Sequence, residues 1–254
     1  MISHTLFRPV LPVLILIAGC TLLSVATEKA IPPDDVLHDQ DVSIYNYEKY
    51  GVTILSIPDS FDFFYQPGNT ATVEEVAQQR GYRFVINGSY FHANRSHAGM
   101  LKIDGRMYSA KIADPQLTHI VVKSKKQGAI RFVPALRYTS NEKQCALEFQ
   151  TGPLVIENGR LARRLIQKSV NGPGAYRRTL LAMTDLKQVY FITVRAQVSL
   201  ETLGNFLLRA SVFSGKRLDV VNLDGGSSVA LWAKDLPKLN FNQDARLPIL
   251  LGVR

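Results

Sequence analysis

Asp224 is the carboxylate that its surroundings single out. It stands in Asn222-Leu223-Asp224-Gly225-Gly226-Ser227-Ser228, at the end of the apolar, β-branched run Leu218–Leu223. A tight hairpin needs one glycine, whereas two glycines followed by two serines remove side-chain bulk and leave backbone N–H groups and hydroxyls open to a ligand. A carboxylate held there can serve as a nucleophile or as the base for a water molecule, or it can simply cap its own loop. The complementary charge comes from Ala175-Tyr176-Arg177-Arg178-Thr179. A guanidinium grips an anion through a planar fork, and in a strand alternation turns one of Arg177 and Arg178 inward; the plain alternative is a surface charge pair. A second polar-glycine loop, Asn87-Gly88-Ser89-Tyr90-Phe91, follows the apolar run Tyr82–Ile86, and there Asn-Gly equally suits an ordinary hairpin.

Other chemistries are poorly supported. His92 and His97 share one loop, but their spacing matches no zinc pattern and no CxxC or HExxH accompanies them, so no metal and no cofactor is expected. His92 is at most a proton donor at a pocket edge. Ser227 and Ser228 lack the G-x-S-x-G frame of a serine hydrolase. Cys145 leads into an apolar segment and reads as a small buried hydrophobe. Glu148, Glu157 and Asp185 are available as a second carboxylate, and spacing singles out none of them.

These loops need a scaffold, and the chain alternates short β-rich runs with two helices. The first is expected to start at Thr72, whose hydroxyl caps it while Glu75 completes a capping box, and to stop near Gly81. The second starts near Ser199 and carries Leu200, Leu203, Phe206, Leu207 and Ala210 at helical spacing, with Gly215 marking its end. Asp104-Gly105 and Asn158-Gly159 sit between hydrophobic runs as hairpin turns. The mixture indicates an α+β fold: a single domain with a mixed twisted β-sheet packed by a few helices.

Met1–Gly19 reads as a secretion signal, because its apolar run Val10–Ala18 is too short to span a bilayer as a helix. Ile17-Ala18-Gly19-Cys20 is similar to a lipobox, which makes Cys20 the lipidated first residue of a bacterial lipoprotein. A cut after Ser24-Val25-Ala26 gives a soluble periplasmic protein instead. Residues 20–43 then form a tether and 44–254 the domain. Without Met1–Gly19 the chain has 29 basic and 21 acidic side chains, a net charge of +8. Such a balance favours polyanionic neighbours. Export, and basic residues spread along the whole chain, argue for phosphate-bearing envelope glycans or lipid headgroups over nucleic acid.

Several of these segments together resemble the phosphodiester glycosidase family. The run Phe84–Phe91 comes first, then Gly99 and Asp104-Gly105, then Gly152-Pro153-Leu154-Val155 with Asn158-Gly159, then Arg178-Thr179, and last Asn222–Ser228. Their order matches the family from roughly Tyr45 to Arg254. Departures stand at Ser89 and Ser227, where the family commonly has further glycines; they are expected to narrow the pocket. The resemblance implies cleavage of a sugar-1-phosphodiester, with Asp224 and Arg178 as catalytic groups. Asn87, Gly88, Tyr90, Phe91, Gly152, Arg177, Gly225, Gly226, Ser227 and Ser228 would bind substrate. The implied partner is a sugar phosphodiester or phosphoglycan of envelope or exopolysaccharide type. A positive charge develops at the anomeric carbon in such a cleavage, and the departing phosphate needs charge stabilisation more than a strong acid. A non-catalytic phosphoglycan-binding lipoprotein of the same fold is the alternative.

Overall fold

The computed structural model describes residues 29–58, 61–125, 129–140, 144–163 and 174–254. The expected signal segment and Cys20 lie outside the described residues. In chain order the strands are β1 (Asp35–Asp39), β2 (Val42–Tyr47), β3 (Val52–Ile57), β4 (Asp62–Tyr65), β5 (Phe84–Asn87), β6 (Leu101–Ile103), β7 (Arg106–Ser109), β8 (His119–Ser124) and β9 (Ile130–Pro134). They continue as β10 (Cys145–Thr151), β11 (Leu154–Glu157), β12 (Arg160–Leu161), β13 (Tyr176–Thr184), β14 (Val189–Val198), β15 (Leu218–Asn222), β16 (Leu231–Ala233) and β17 (Ile249–Val253). Helices α1 (Val73–Arg80) and α2 (Leu200–Arg209) complete the α+β fold.

Three sheets result, with strand orders β1-β2-β3-β14-β13-β15-β11-β12, β7-β6-β10-β8-β9 and β16-β5-β17-β4. The expected single mixed sheet is corrected here: among the described residues every pairing between these strands is antiparallel. The continuous apolar runs that suggested parallel strands are buried on both faces for another reason. In β5, Phe84 and Ile86 face the main core while Val85 faces a second core under α1 with Val76, Trp232 and Leu250. The central strands β13 and β15 are likewise enclosed, since the main core draws on all three sheets and on α2.

Local chemistry sets the element ends. Thr72 accepts from the Glu75 N–H at 3.1 Å, the Glu75 carboxylate accepts from the Thr72 N–H at 2.7 Å, and Gly81 closes α1 in the left-handed conformation, φ 67°. The apolar stripe of α2 is buried against β11 and β12, and the helix ends at Arg209. A one-turn 3-10 segment, Ser211–Phe213, fills the gap before Gly215, so the helix is shorter than its apolar spacing suggests. Asp104-Gly105 and Asn158-Gly159 turn β6 into β7 and β11 into β12, each with both residues at positive φ. The expected tether is also corrected: β1 and the first two residues of β2 fall inside residues 20–43, and the two strands form one edge of the largest sheet.

Candidate active site

Strand β15 delivers Asp224, and its neighbours decide what Asp224 meets. β15 pairs with β13 so that Leu180 lies opposite Asn222, and the Leu223 N–H then donates to the Thr179 carbonyl at 2.8 Å, which ends the pairing one residue short of Arg178 and Asp224. Here the chain leaves the sheet. A Cβ on Gly225 would lie 2.7 Å from the Arg177 carbonyl oxygen, so only glycine lets the loop press against β13. The one-turn 3-10 segment Gly226–Ser228, with Gly226 at φ 62°, carries the chain across to β16 in another sheet. The glycine pair therefore makes a sheet-to-sheet crossover and not a hairpin.

Asn87-Gly88 clamps this crossover from the four-stranded sheet. The Asp224 N–H donates to the Gly88 carbonyl at 3.1 Å, and Asn87 Nδ2 donates to the Asp224 carbonyl at 2.8 Å. Asn87 Oδ1 accepts from the Thr179 hydroxyl at 2.5 Å and from the Ala230 N–H at 3.2 Å. With its amide so engaged and 1% of its surface exposed, Asn87 holds the loop rather than meeting a ligand. The hairpin alternative fails as well, because β5 pairs with β16 and β17.

Asp224 is partly buried, and its Oδ1 accepts from the Gly225 N–H at 2.8 Å. Burial pushes the carboxyl above the ordinary aspartate range, and the Ser228 hydroxyl and Gly225 N–H offset this in part. Arg178 is the inward member of its pair, 5% exposed, with Nε donating to the Val198 carbonyl at 3.3 Å and Nη2 to the Gly174 carbonyl at 3.2 Å. Among the described residues it has no carboxylate partner, and desolvation lowers its pKa. Tyr90 joins the two charges. Its hydroxyl donates to the Gly152 carbonyl at 2.8 Å and accepts from Asn222 Nδ2 at 2.5 Å. Burial pushes the phenol far up, the Asp224 carboxylate adds to the rise, and Arg178 opposes it, so all three share one electrostatic neighbourhood.

The remaining expected residues divide. Gly225, Gly226, Ser227 and Ser228 surround Asp224, with Ser227 exposed. Arg177 is exposed beside them, its guanidinium 5.2 Å from the Phe241 ring centroid. Gly88 and Gly152 are packing glycines whose close neighbours are the protein itself. A Cβ on Gly88 would meet Ile249 at 2.5 Å, and one on Gly152, at φ 148°, would meet the Gln116 carbonyl at 2.4 Å. Phe91 packs at the edge of the core under α1, away from Asp224. Ser89 is 1% exposed and donates to the Gln150 carbonyl at 2.9 Å, so this departure is tucked into the fold and narrows no pocket.

His97 is buried, donates from Nδ1 to the Gly99 carbonyl at 3.2 Å, and is pushed down to about 4 by burial. Among the described residues no group of His, Cys, Asp or Glu is placed to hold a metal ion. Glu148 accepts from Ser140 in the five-stranded sheet, Glu157 ends β11, and Asp185 caps the far turn of β13 by accepting from the Arg217 N–H. None stands beside Asp224. No local pattern singles out Asn222, which is fully buried with an Oδ1 unpartnered among the described residues, or Asp114, whose charge reaches Tyr90. Asp224, Arg178 and Tyr90 line neither of two clefts of about 540 and 730 Å³.

The antiparallel α+β scaffold thus brings Asp224, Tyr90 and the buried Arg178 into one neighbourhood. The chain belongs to the phosphodiester glycosidase family, whose model matches residues 80–253. That segment holds every expected site residue from Asn87 to Ser228. No curated protein sequence matches the chain. Among solved structures it is similar to the zebrafish N-acetylglucosamine-1-phosphodiester alpha-N-acetylglucosaminidase catalytic domain, auto-inhibited by its pro-peptide. That match has TM-score 0.58 and 12% identity and covers 87% of this chain and 81% of that one. A Synechocystis protein matches with TM-score 0.52 and 12% identity, over 87% of this chain and 61% of its own. A Burkholderia pseudomallei K96243 protein matches with TM-score 0.57 and 10% identity, over 83% and 74% respectively. At these identities the structures show a shared fold.

Proposed function

We propose that this protein hydrolyses a sugar-1-phosphodiester, with Arg178 holding the phosphate and Asp224 facing the anomeric carbon. The observation that carries this is Arg178 itself: a guanidinium 5% exposed, just past the end of the β13–β15 pairing, with no carboxylate partner among the described residues. An unpaired buried charge is costly, and a bound phosphate offsets that cost through a two-pronged hydrogen bond. As the sugar–phosphate bond breaks, charge grows on the phosphate oxygens at Arg178. Asp224 either attacks the anomeric carbon or takes the proton of the attacking water. The exposed Ser227 beside Asp224 offers a donor for a sugar hydroxyl. Tyr90, fixed by Asn222 and Gly152, stays a neutral donor between the two charges. The substrate we propose is an envelope or exopolysaccharide-type glycan, met outside the cytoplasm by a protein anchored through Cys20.

Release of free sugar from a panel of sugar-1-phosphodiesters tests the reading, with Asp224→Asn as control. Loss of turnover by at least about a thousandfold in the variant is expected for a reacting carboxylate. A second reading, a phosphoglycan binder without turnover, is favoured by one observation: the Asp224 carboxylate already holds the Gly225 N–H and the Ser228 hydroxyl, as a loop cap would. Silence across the panel with measurable binding would establish it.

A further inference from the structure

Arg178 is not alone. Arg177 and Arg195 also lie by the Asp224 loop, and among the described residues neither has a carboxylate partner. Both flank one ring: the guanidinium of Arg177 is 5.2 Å and that of Arg195 5.5 Å from the Phe241 centroid. Phe241 is fixed by two backbone hydrogen bonds with Leu231, of 2.9 and 2.8 Å. The next residue, Asn242, donates to the carbonyls of Ser227 at 2.8 Å and Val229 at 3.1 Å, which straps this aromatic platform onto the glycine loop. Arg195 is half-buried and anchored by Nη2 on the Leu239 carbonyl at 2.6 Å; burial lowers its pKa and no carboxylate opposes the effect. A guanidinium stacked on a ring keeps its in-plane N–H edges free for an anion. Arg195 also lines the cleft of about 730 Å³, whose walls include Asp35, Glu48 and Asp235. Those carboxylates disfavour a further anion inside the cleft, which confines anion binding to its arginine edge.

We propose that Arg177 and Arg195, stacked on Phe241, form a second anion subsite that takes the next phosphodiester along the substrate. The substrate class is then a polymer of sugars joined by phosphodiesters, in which two consecutive phosphates are held at once. This rests on the reading of Arg178 and Asp224 as the place of the scissile phosphodiester. Two linked contacts raise affinity by effective concentration, without a new contact elsewhere.

Calorimetric titration of the full-length Asp224→Asn protein tests this, with synthetic glucose-1-phosphate oligomers carrying one or two phosphodiesters as probes. The two-phosphodiester probe should bind about tenfold more tightly than the other, and the ratio should collapse towards one in R177Q/R195Q. If Arg195→Gln disturbs folding, as melting would show, Arg177→Gln alone, at an exposed position, should cut the ratio about threefold. A ratio near one in Asp224→Asn, or a ratio that survives R177Q/R195Q, overturns the second subsite. Absence of binding by either probe overturns it together with the reading of Arg178. If the unsubstituted protein releases no sugar yet the ratio holds and depends on the two arginines, the glycosidase reading falls and the subsite stands.

Discussion

Asp224 and Arg178 are held in states that folding alone would not select. The folded carboxyl has a pKa above that of the unfolded chain, so it favours folding below the unfolded value, and that contribution is lost as pH rises through the folded value. At neutral pH the ionised group is therefore a burden on stability. Asp224→Asn should remove turnover while leaving the melting temperature at pH 7 equal or higher, a pairing that thermal melts beside activity assays will show. With Asp224 reacting in its ionised form as proposed, the same shift should place the acid limb of the rate profile above the ordinary aspartate range, which a pH–rate profile checks. His97 gives the opposite dependence. Its folded pKa, about 4, lies below the unfolded 6.5, so the unfolded chain takes up a proton first, and stability falls as pH drops from about 6.5 to about 4. The loss attributable to this residue is about 3 kcal/mol. His97→Gln keeps a donor for Gly99 and no titration, so its denaturation midpoint should decline less with acid over that window.

The elements explain what could be read in advance and what could not. The helix starts, the two hairpin turns and the buried strands before each polar-glycine loop rest on contacts between near neighbours in the chain, and the residue types announce them. Thr72 with Glu75, and Asp104 with Gly105, are complete signals within a few residues. The crossover at Gly225-Gly226 and the clamp from Asn87 depend on contacts across 137 residues, the Asn87 Nδ2 bond to Asp224, and no local pattern holds that information. Runs buried on both faces also concealed the antiparallel sheets, since three stacked layers enclose a strand as fully as crossover helices do. The glycines were legible as necessary but not for the right cause: Gly152 meets the Gln116 and Thr118 backbone and not a ligand. Gly152→Ala should therefore cost stability, by about 3 kcal/mol or more, rather than affinity alone, because backbone atoms must move and φ 148° is strained for alanine. Chemical denaturation measures this directly. A variant of normal stability and weakened binding would return Gly152 to the ligand.

At the scale of the molecule, net charge and the start of the chain bear on the same question, which is where the substrate is met. The described region begins at residue 29, and the 28 residues before it carry the apolar run and Cys20. Among the described residues no helix is long and apolar enough to cross a membrane. Lipidation at Cys20, as proposed, would hold the domain at a membrane surface. A positive domain held there concentrates near anionic headgroups and phosphate-bearing polymers, and its encounter rate with either falls as salt is raised. Cys20→Ser should move the protein from the membrane fraction to the soluble one and abolish incorporation of labelled palmitate. The purified domain should keep its turnover on a soluble phosphodiester, because no residue of the Asp224 site belongs to the leader. Unchanged membrane association without palmitate incorporation would instead mark an uncleaved apolar anchor, and a soluble protein beginning after Ala26 would mark ordinary signal cleavage.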